Sequence, residues 1–359
     1  MTSTTTTTGT DGRIVVRISD PGELVAAVPH LLSFRPGPSV ILLNHSRGRE
    51  RRIIPVIRAD LPDEPHERDV VRGLVDRLLR HPGAGVTVVI VGSRPGHRAP
   101  PGQLPHQSLT QRLISALDEA GRPVDHALWV PEIRGGVPWT CYHEGCGAGV
   151  LPDDRETVMA ATMATRGWVT HDSREQLVRQ LDPDDPAAID RRQRLLDEAV
   201  EALAGTGRSA EEERAGHLAV VRAALGRAVR GDFDLSDEDV VSLAMALSDL
   251  KVRDRCLTTA EPPGEAPAIA AERLWLELVR RTPPPERAEA ALLLGYAAYR
   301  RGDCVLAGLA FGNALAAHPG HRLAELLQIC LNRQLPPDAL GRLSRAQEGN
   351  LMPTDPRCG

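Results

Sequence analysis

Aromatic side chains and lysine are what this 359-residue sequence has least of. With three Phe, three Tyr and four Trp, there is little from which to build base-stacking platforms, and the core must be filled by Leu, Val, Ile and Ala. Lys251 is the only lysine among 43 basic residues, the skew of a GC-rich coding sequence, so the arginines are not read as phosphate recognition. Against 48 acidic residues they leave a net charge of −5, and no field draws the chain onto nucleic acid or an anionic membrane. Apolar runs such as Val88–Val91 fall far short of the roughly 20 residues that span a bilayer. The threonine tract Met1–Gly12 has neither the basic start nor the apolar stretch of a signal peptide. Six cysteines are scattered through the chain, which predicts reduced thiols in a cytoplasmic protein. No G-x-S-x-G elbow, G-x-x-x-x-G-K-[ST] loop or H-E-x-x-H pair occurs, so the enzyme classes built on them lose their signatures.

What is present is 42% hydrophobic residues and enough length for two domains. After a disordered tail over 1–12, the region 13–152 alternates β-branched runs with helical periodicity. Strands are expected at Ile14–Ile18, Val40–Leu43, Arg52–Arg58, Val86–Val91, His126–Val130 and Val137–Tyr142. Helices are expected at Pro21–Leu32, N-capped by Asp20, at Glu67–Leu79 and at Ser108–Ala120. The polar loop 44–50 implies an antiparallel hairpin between the second and third strands. The third, fourth and fifth, each separated by a helix, should be parallel with right-handed crossovers. The expected fold is an α/β N-terminal domain on a mixed, partly parallel sheet.

Strand signals fade after Asp153, and 153–347 reads as an all-α C-terminal domain, with a flexible tail at 348–359. Ser236 with Asp239 gives a capping box ahead of Val240, Leu243 and Leu247. Ala291, Leu294, Gly295, Ala298, Ala307, Phe311 and Pro319 fall at the spacing of a tetratricopeptide unit, with alanine in its Trp and Tyr positions. A plain helical hairpin within a larger bundle is the alternative. On the repeat reading, Glu289, Leu292, Tyr296, Tyr299 and Arg300 form a neighbouring stripe that would line a concave, partner-binding face, because aromatic and arginine side chains concentrate at protein-binding hot spots. Packing of both rings in the core is the competing reading.

Several ordered segments together resemble an uncharacterised, mainly actinobacterial family, the domain of unknown function DUF 4192. They are Asp20–Val40, Arg58–Pro62, Trp139–Gly149, Ser173–Glu175, Lys251–Arg255 and Gly302–His321. The resemblance implies an α/β domain followed by a helical half, and no established activity. The family's pattern has adjacent cysteines where this chain has Cys146-Gly147.

Two groups of residues could carry chemistry. Cys141, His143 and Cys146 bring three soft ligands within six residues, but no second Cys/His pair completes a zinc site. No metal and no cofactor is expected, and packed thiols, a thiol catalyst or a labile disulfide remain for the cysteines. In open α/β sheets ligands gather beyond the carboxyl ends of the strands, which here present Asp60, Ser93, Arg94 and Glu132. The leading expectation is a binding or regulatory protein that recognises a protein or peptide through its helical half. The alternative is an enzyme of unknown reaction acting at that sheet edge.

Overall fold

The computed structural model describes residues 5–8, 14–18, 20–46, 53–93, 100, 102–165, 167–204, 207–345 and 351. The chain divides into two compact units, Met1–Arg174 and Glu175–Gly359. The first runs β1 (Thr5–Thr8), β2 (Ile14–Arg17), α1 (Pro21–Leu32), β3 (Ser39–His45), β4 (Ile53–Asp60), α2 (Glu67–Leu79), β5 (Gly85–Val91), α3 (Gln107–Glu119), β6 (Val124–Val130), β7 (Pro138–Cys141), β8 (Ala148–Val150) and α4 (Val158–Thr165). The region around the boundary and beyond is helical: α5 (Arg174–Arg179), α6 (Pro186–Ala204), α7 (Ala210–Val229), α8 (Asp237–Ser248), α9 (Leu250–Cys256), α10 (Ala266–Arg281), α11 (Arg287–Arg301), α12 (Cys304–Ala317), α13 (Arg322–Asn332) and α14 (Pro337–Arg345). No helix among the described residues is long and apolar enough to cross a membrane.

The main sheet has the order β4-β3-β5-β6-β7-β8. β3 is antiparallel to both β4 and β5, β5 and β6 are parallel, and the rest are antiparallel. The expected hairpin of β3 with β4 is there. β4, β5 and β6 also run in one direction, but β3 lies between β4 and β5, so only β5 and β6 pair in parallel. Sequence chemistry explains the insertion. The unbroken Val40–Leu43 run is buried at every position, which only a central strand permits. β4 carries Pro55, which removes a ladder donor and suits an edge. α2 and α3 cover one face, where Val40, Leu42, Val88 and Ile90 meet Leu74, Leu78, Leu109 and Leu113. Ile41, Leu43, Val89 and Val91 on the other face are equally excluded from water.

Local signals act as expected at several points. The Asp20 side chain accepts from the Glu23 N–H at 3.0 Å, and Ser236 and Asp239 cap each other at the start of α8. Two expectations need correction. Thr5–Thr8, placed in the disordered tail, pairs antiparallel with Ile14–Arg17, in line with the β preference of threonine. The α/β unit also extends past 152 to Arg174, because residues 153–174 pack back on α1 and the segment after it. His30 contacts the Asp154 carbonyl at 2.8 Å and Thr170 Oγ1 at 2.7 Å. The Arg35 N–H donates to the His171 carbonyl at 2.8 Å.

The helical unit is organised around α11, in which every residue from Ala288 to Arg300 is buried. At Gly295 α12 packs tightly on α11: a Cβ built there would lie 2.5 Å from the Phe311 ring. Gly295→Ala should therefore destabilise this unit by about 1–3 kcal/mol, as overpacking does, despite alanine's better helix propensity. Denaturant unfolding measures this, and Phe311→Leu in the same chain should recover part of the loss.

Candidate functional site

At the carboxyl edge of the sheet, Ser39 at the start of β3 stands opposite both Asp60 and Val91, and Val91 is in register with Val130. Asp60 therefore shares this edge with Ser93, just beyond β5, and Glu132, just beyond β6. Arg94, the fourth expected member, lies outside the described residues. Gly92 begins the turn after β5 with φ +72°, and its carbonyl accepts from Trp129 Nε1 at 3.1 Å. Arg58 crosses the edge: its Nε donates to Ser39 Oγ at 2.9 Å, another nitrogen pairs with Asp60, and its guanidinium lies over the Phe34 ring. Glu132 is paired with Arg134 at 3.0 Å. Asp60 is 81% exposed and Glu132 58%, so both pairs are surface pairs that salt screens. Both carboxylates thus have an arginine partner and face water.

Around the cysteines, strand pairing brings in a residue that spacing alone did not suggest. Cys141 ends β7 opposite Leu128, so the antiparallel neighbour strand carries His126 toward the turn that follows. His126 Nδ1 lies 3.4 Å from Cys146 Sγ, whereas His143 meets Cys146 only through its carbonyl, which accepts from the Cys146 N–H at 3.3 Å. Burial, followed by the influence of the Cys141 thiol, pushes the Cys146 thiol up to about 11. Among the described residues, no three His, Cys, Asp or Glu side chains gather as metal ligands would.

The stripe on α11 is not a surface. Glu289, Leu292, Tyr296, Tyr299 and Arg300 are all buried, Leu292, Tyr296 and Tyr299 almost completely. They do not line an open concave face here, and the physical reason is what packs over them. Tyr296 Oη donates to the Leu340 carbonyl of α14 at 3.1 Å. Tyr299 Oη reaches the Leu335 and Cys330 carbonyls at 2.8 and 3.2 Å, and burial pushes its phenol upward. Arg300 donates to Glu261 Oε1 at 2.6 Å and to the Pro337 carbonyl at 2.5 Å.

At the other end of α11, Glu289 forms a buried cluster with Arg253 of α9 and His321, the N-cap of α13. Arg253 Nη1 lies 2.7 Å and His321 Nε2 3.2 Å from Glu289 Oε2. His321 Nδ1 accepts from the Ala324 N–H at 3.2 Å. That acceptor role fixes the proton on Nε2, which donates to Glu289. Burial pushes the Glu289 carboxyl upward, but the His321 hydrogen bond and the Arg253 charge outweigh it and hold the group below its usual value. Neither Arg253 nor His321 was singled out by sequence, because α9 and α13 are distant from α11 in the chain and only folding brings them together.

The sequence model of a family described as Domain of unknown function (DUF4192) matches residues 21–338, and the chain belongs to that family. No curated protein and no solved structure matches.

The buried cluster yields a prediction with a definite sign. A carboxylate held below its ordinary value contributes stability that is complete above that value, 4.5 for glutamate, and is lost as pH falls through the lower folded value. Glu289→Gln should cost the helical unit about 1–3 kcal/mol near neutral pH, since it removes one of the two carboxylates paired with Arg253 and leaves only Asp254, at 2.7 Å. It should also flatten the acid limb of stability against pH. Denaturant melts across that range compare the two chains.

Proposed function

We propose that this protein is a binding or regulatory module that grips a peptide along the α11 face of its helical unit, with its own segment 335–340 as the resident occupant. The observation that carries the reading is the choice of partners. Tyr296, Tyr299 and Arg300 direct their donors at main-chain carbonyls of Leu340, Leu335 and Pro337. Every residue has a carbonyl, so such contacts read the path of a backbone, and side chains seated in pockets then supply selectivity. In the resident segment that side chain is Leu340, 5% exposed.

The close fit of Gly295 on Phe311 supports the tetratricopeptide-like reading of the α11–α12 hairpin, a scaffold suited to holding peptides. The net charge of −5 favours a protein or peptide partner over nucleic acid or a membrane. The five free cysteines among the described residues suit a cytoplasmic setting. The alternative, an enzyme at the sheet edge, is weakened because Asp60 and Glu132 each have an arginine partner.

Replacing Leu340 by Asp in the full chain should dislodge the segment at little cost to the remaining helices. A labelled peptide of residues 335–351 should then bind the variant and not the unaltered protein, as read by fluorescence anisotropy. A variant that keeps its helical circular dichroism and still ignores the peptide would refute the reading.

A further inference from the structure

The β7–β8 hairpin carries a pair of thiols that neither the helical unit nor the sheet edge uses. Cys141 is buried at the end of β7, and Cys146 is half-buried in the turn before β8. The backbone of Cys141 is held from two sides. Its N–H donates to the Gly147 carbonyl at 3.1 Å, and the next N–H, of Tyr142, donates to the Ala127 carbonyl of β6 at 2.7 Å. Gly145 and Gly147 flank Cys146 with φ of +78° and +102°, left-handed conformations that fold the turn back and, with the Cys141 N–H bonded to the Gly147 carbonyl, return Cys146 toward Cys141. Three elements of the hairpin region thus converge on one thiol: Cys141 from β7, His126 from β6, with Nδ1 at 3.4 Å, and the turn itself.

We propose that Cys141 and Cys146 form a reversible intramolecular disulfide, made by exchange with a low-molecular-weight disulfide, that locks the β7–β8 hairpin. The steps balance. His126 Nδ1 accepts the proton of the Cys146 thiol, and the thiolate attacks one sulfur of the small disulfide. The S–S bond of the reagent breaks, and one small thiol leaves with a proton. Cys141, deprotonated in turn, attacks Cys146 Sγ, and the second small thiol leaves. Two protein thiols are oxidised by two electrons, and one small disulfide is reduced to two thiols. Cys146 is the entry point because it is the more exposed of the two, while Cys141, shielded at the end of β7, is the resolving thiol. Being a poor leaving group, the raised Cys146 thiol makes the finished disulfide harder to break.

The test uses the full chain, reduced, freed of reductant and equilibrated in glutathione buffers of increasing glutathione disulfide content, then alkylated and digested with trypsin. Both cysteines fall in one tryptic peptide, Gly135–Arg155, so the bond appears as that peptide lighter by two hydrogens and lacking both alkyl groups. Cys141→Ser should instead leave Cys146 carrying glutathione, and His126→Ala should slow formation of the bond without changing its end point. Cys141 and Cys146 both remaining alkylated at the most oxidising ratio would overturn the proposal. So would a stable glutathione adduct on Cys146 beside an alkylated Cys141 in the unaltered chain. Equal rates with and without His126 would remove the imidazole from the mechanism.

Discussion

A helix enclosed on every side must find a partner for each polar group it carries, and α11 is such a helix. Its apolar residues, among them Leu292, Leu294 and Ala298, are accommodated by any close neighbour. Its polar residues are more demanding, because a buried hydroxyl, carboxylate or guanidinium without a partner costs more than most single contacts return. Glu289 therefore requires Arg253 and His321 near its amino-terminal end. Arg300 requires Glu261 near the other end, and the two tyrosines require carbonyls between. These demands determine where α9, the N-cap of α13 and the segment 335–340 come to rest. The arrangement of the unit follows from satisfying one helix.

The α/β unit obeys an analogous constraint with strands. β3 is hydrophobic at successive positions and cannot present a face to water, so it must be flanked on both sides and covered above and below. Placing it between β4 and β5 meets that need and sends the less hydrophobic, proline-containing β4 to the edge. A consequence for chemistry follows. Because β3 runs opposite to β4 and β5, its amino-terminal Ser39 interleaves with their carboxyl ends, and Arg58 is drawn into hydrogen bonding there. The Arg58 guanidinium at this edge is shared between Ser39 and Asp60.

The parts of this structure legible in the sequence are those with a local cause. Asp20 announces α1 and Ser236 with Asp239 announces α8, because a cap is a contact across three residues. The strand run Val40–Leu43 and the helix Glu67–Leu79 are read from periodicity, and the common edge of Asp60, Ser93 and Glu132 from the alternation of strand and helix. What escaped has a remote cause. That α11 is covered all round could not be read from its helical projection, which shows which residues share a face but not how many elements cover it. The sequence therefore leaves Tyr296 and Tyr299 open between a concave face and the core, and both lie in the core. His126 escaped because its approach to Cys146 depends on the pairing of β6 with β7, and β8, three residues long, is too short for a period.

The two ends of α11 differ in what displacement would cost, and this bears on which contact can serve as a switch. Glu289, Arg253 and His321 tie together three helices through a buried carboxylate–guanidinium pair and a buried imidazole, so opening that end strands ions in the interior. The segment over Tyr296 and Tyr299 is held differently. Its carbonyls regain water when released, its two prolines limit the freedom gained, and Leu340 is the large apolar group that α14 buries among its described side chains. Exposing one such leucine costs about 1.5–3 kcal/mol, a small fraction of what withdrawing α12, with Leu306, Ala307, Ala310, Phe311 and Ala314 buried, would forfeit. Local opening in folded proteins takes the least costly route. Of the two ends, the contact made by residues 335–340 is therefore the less costly to release.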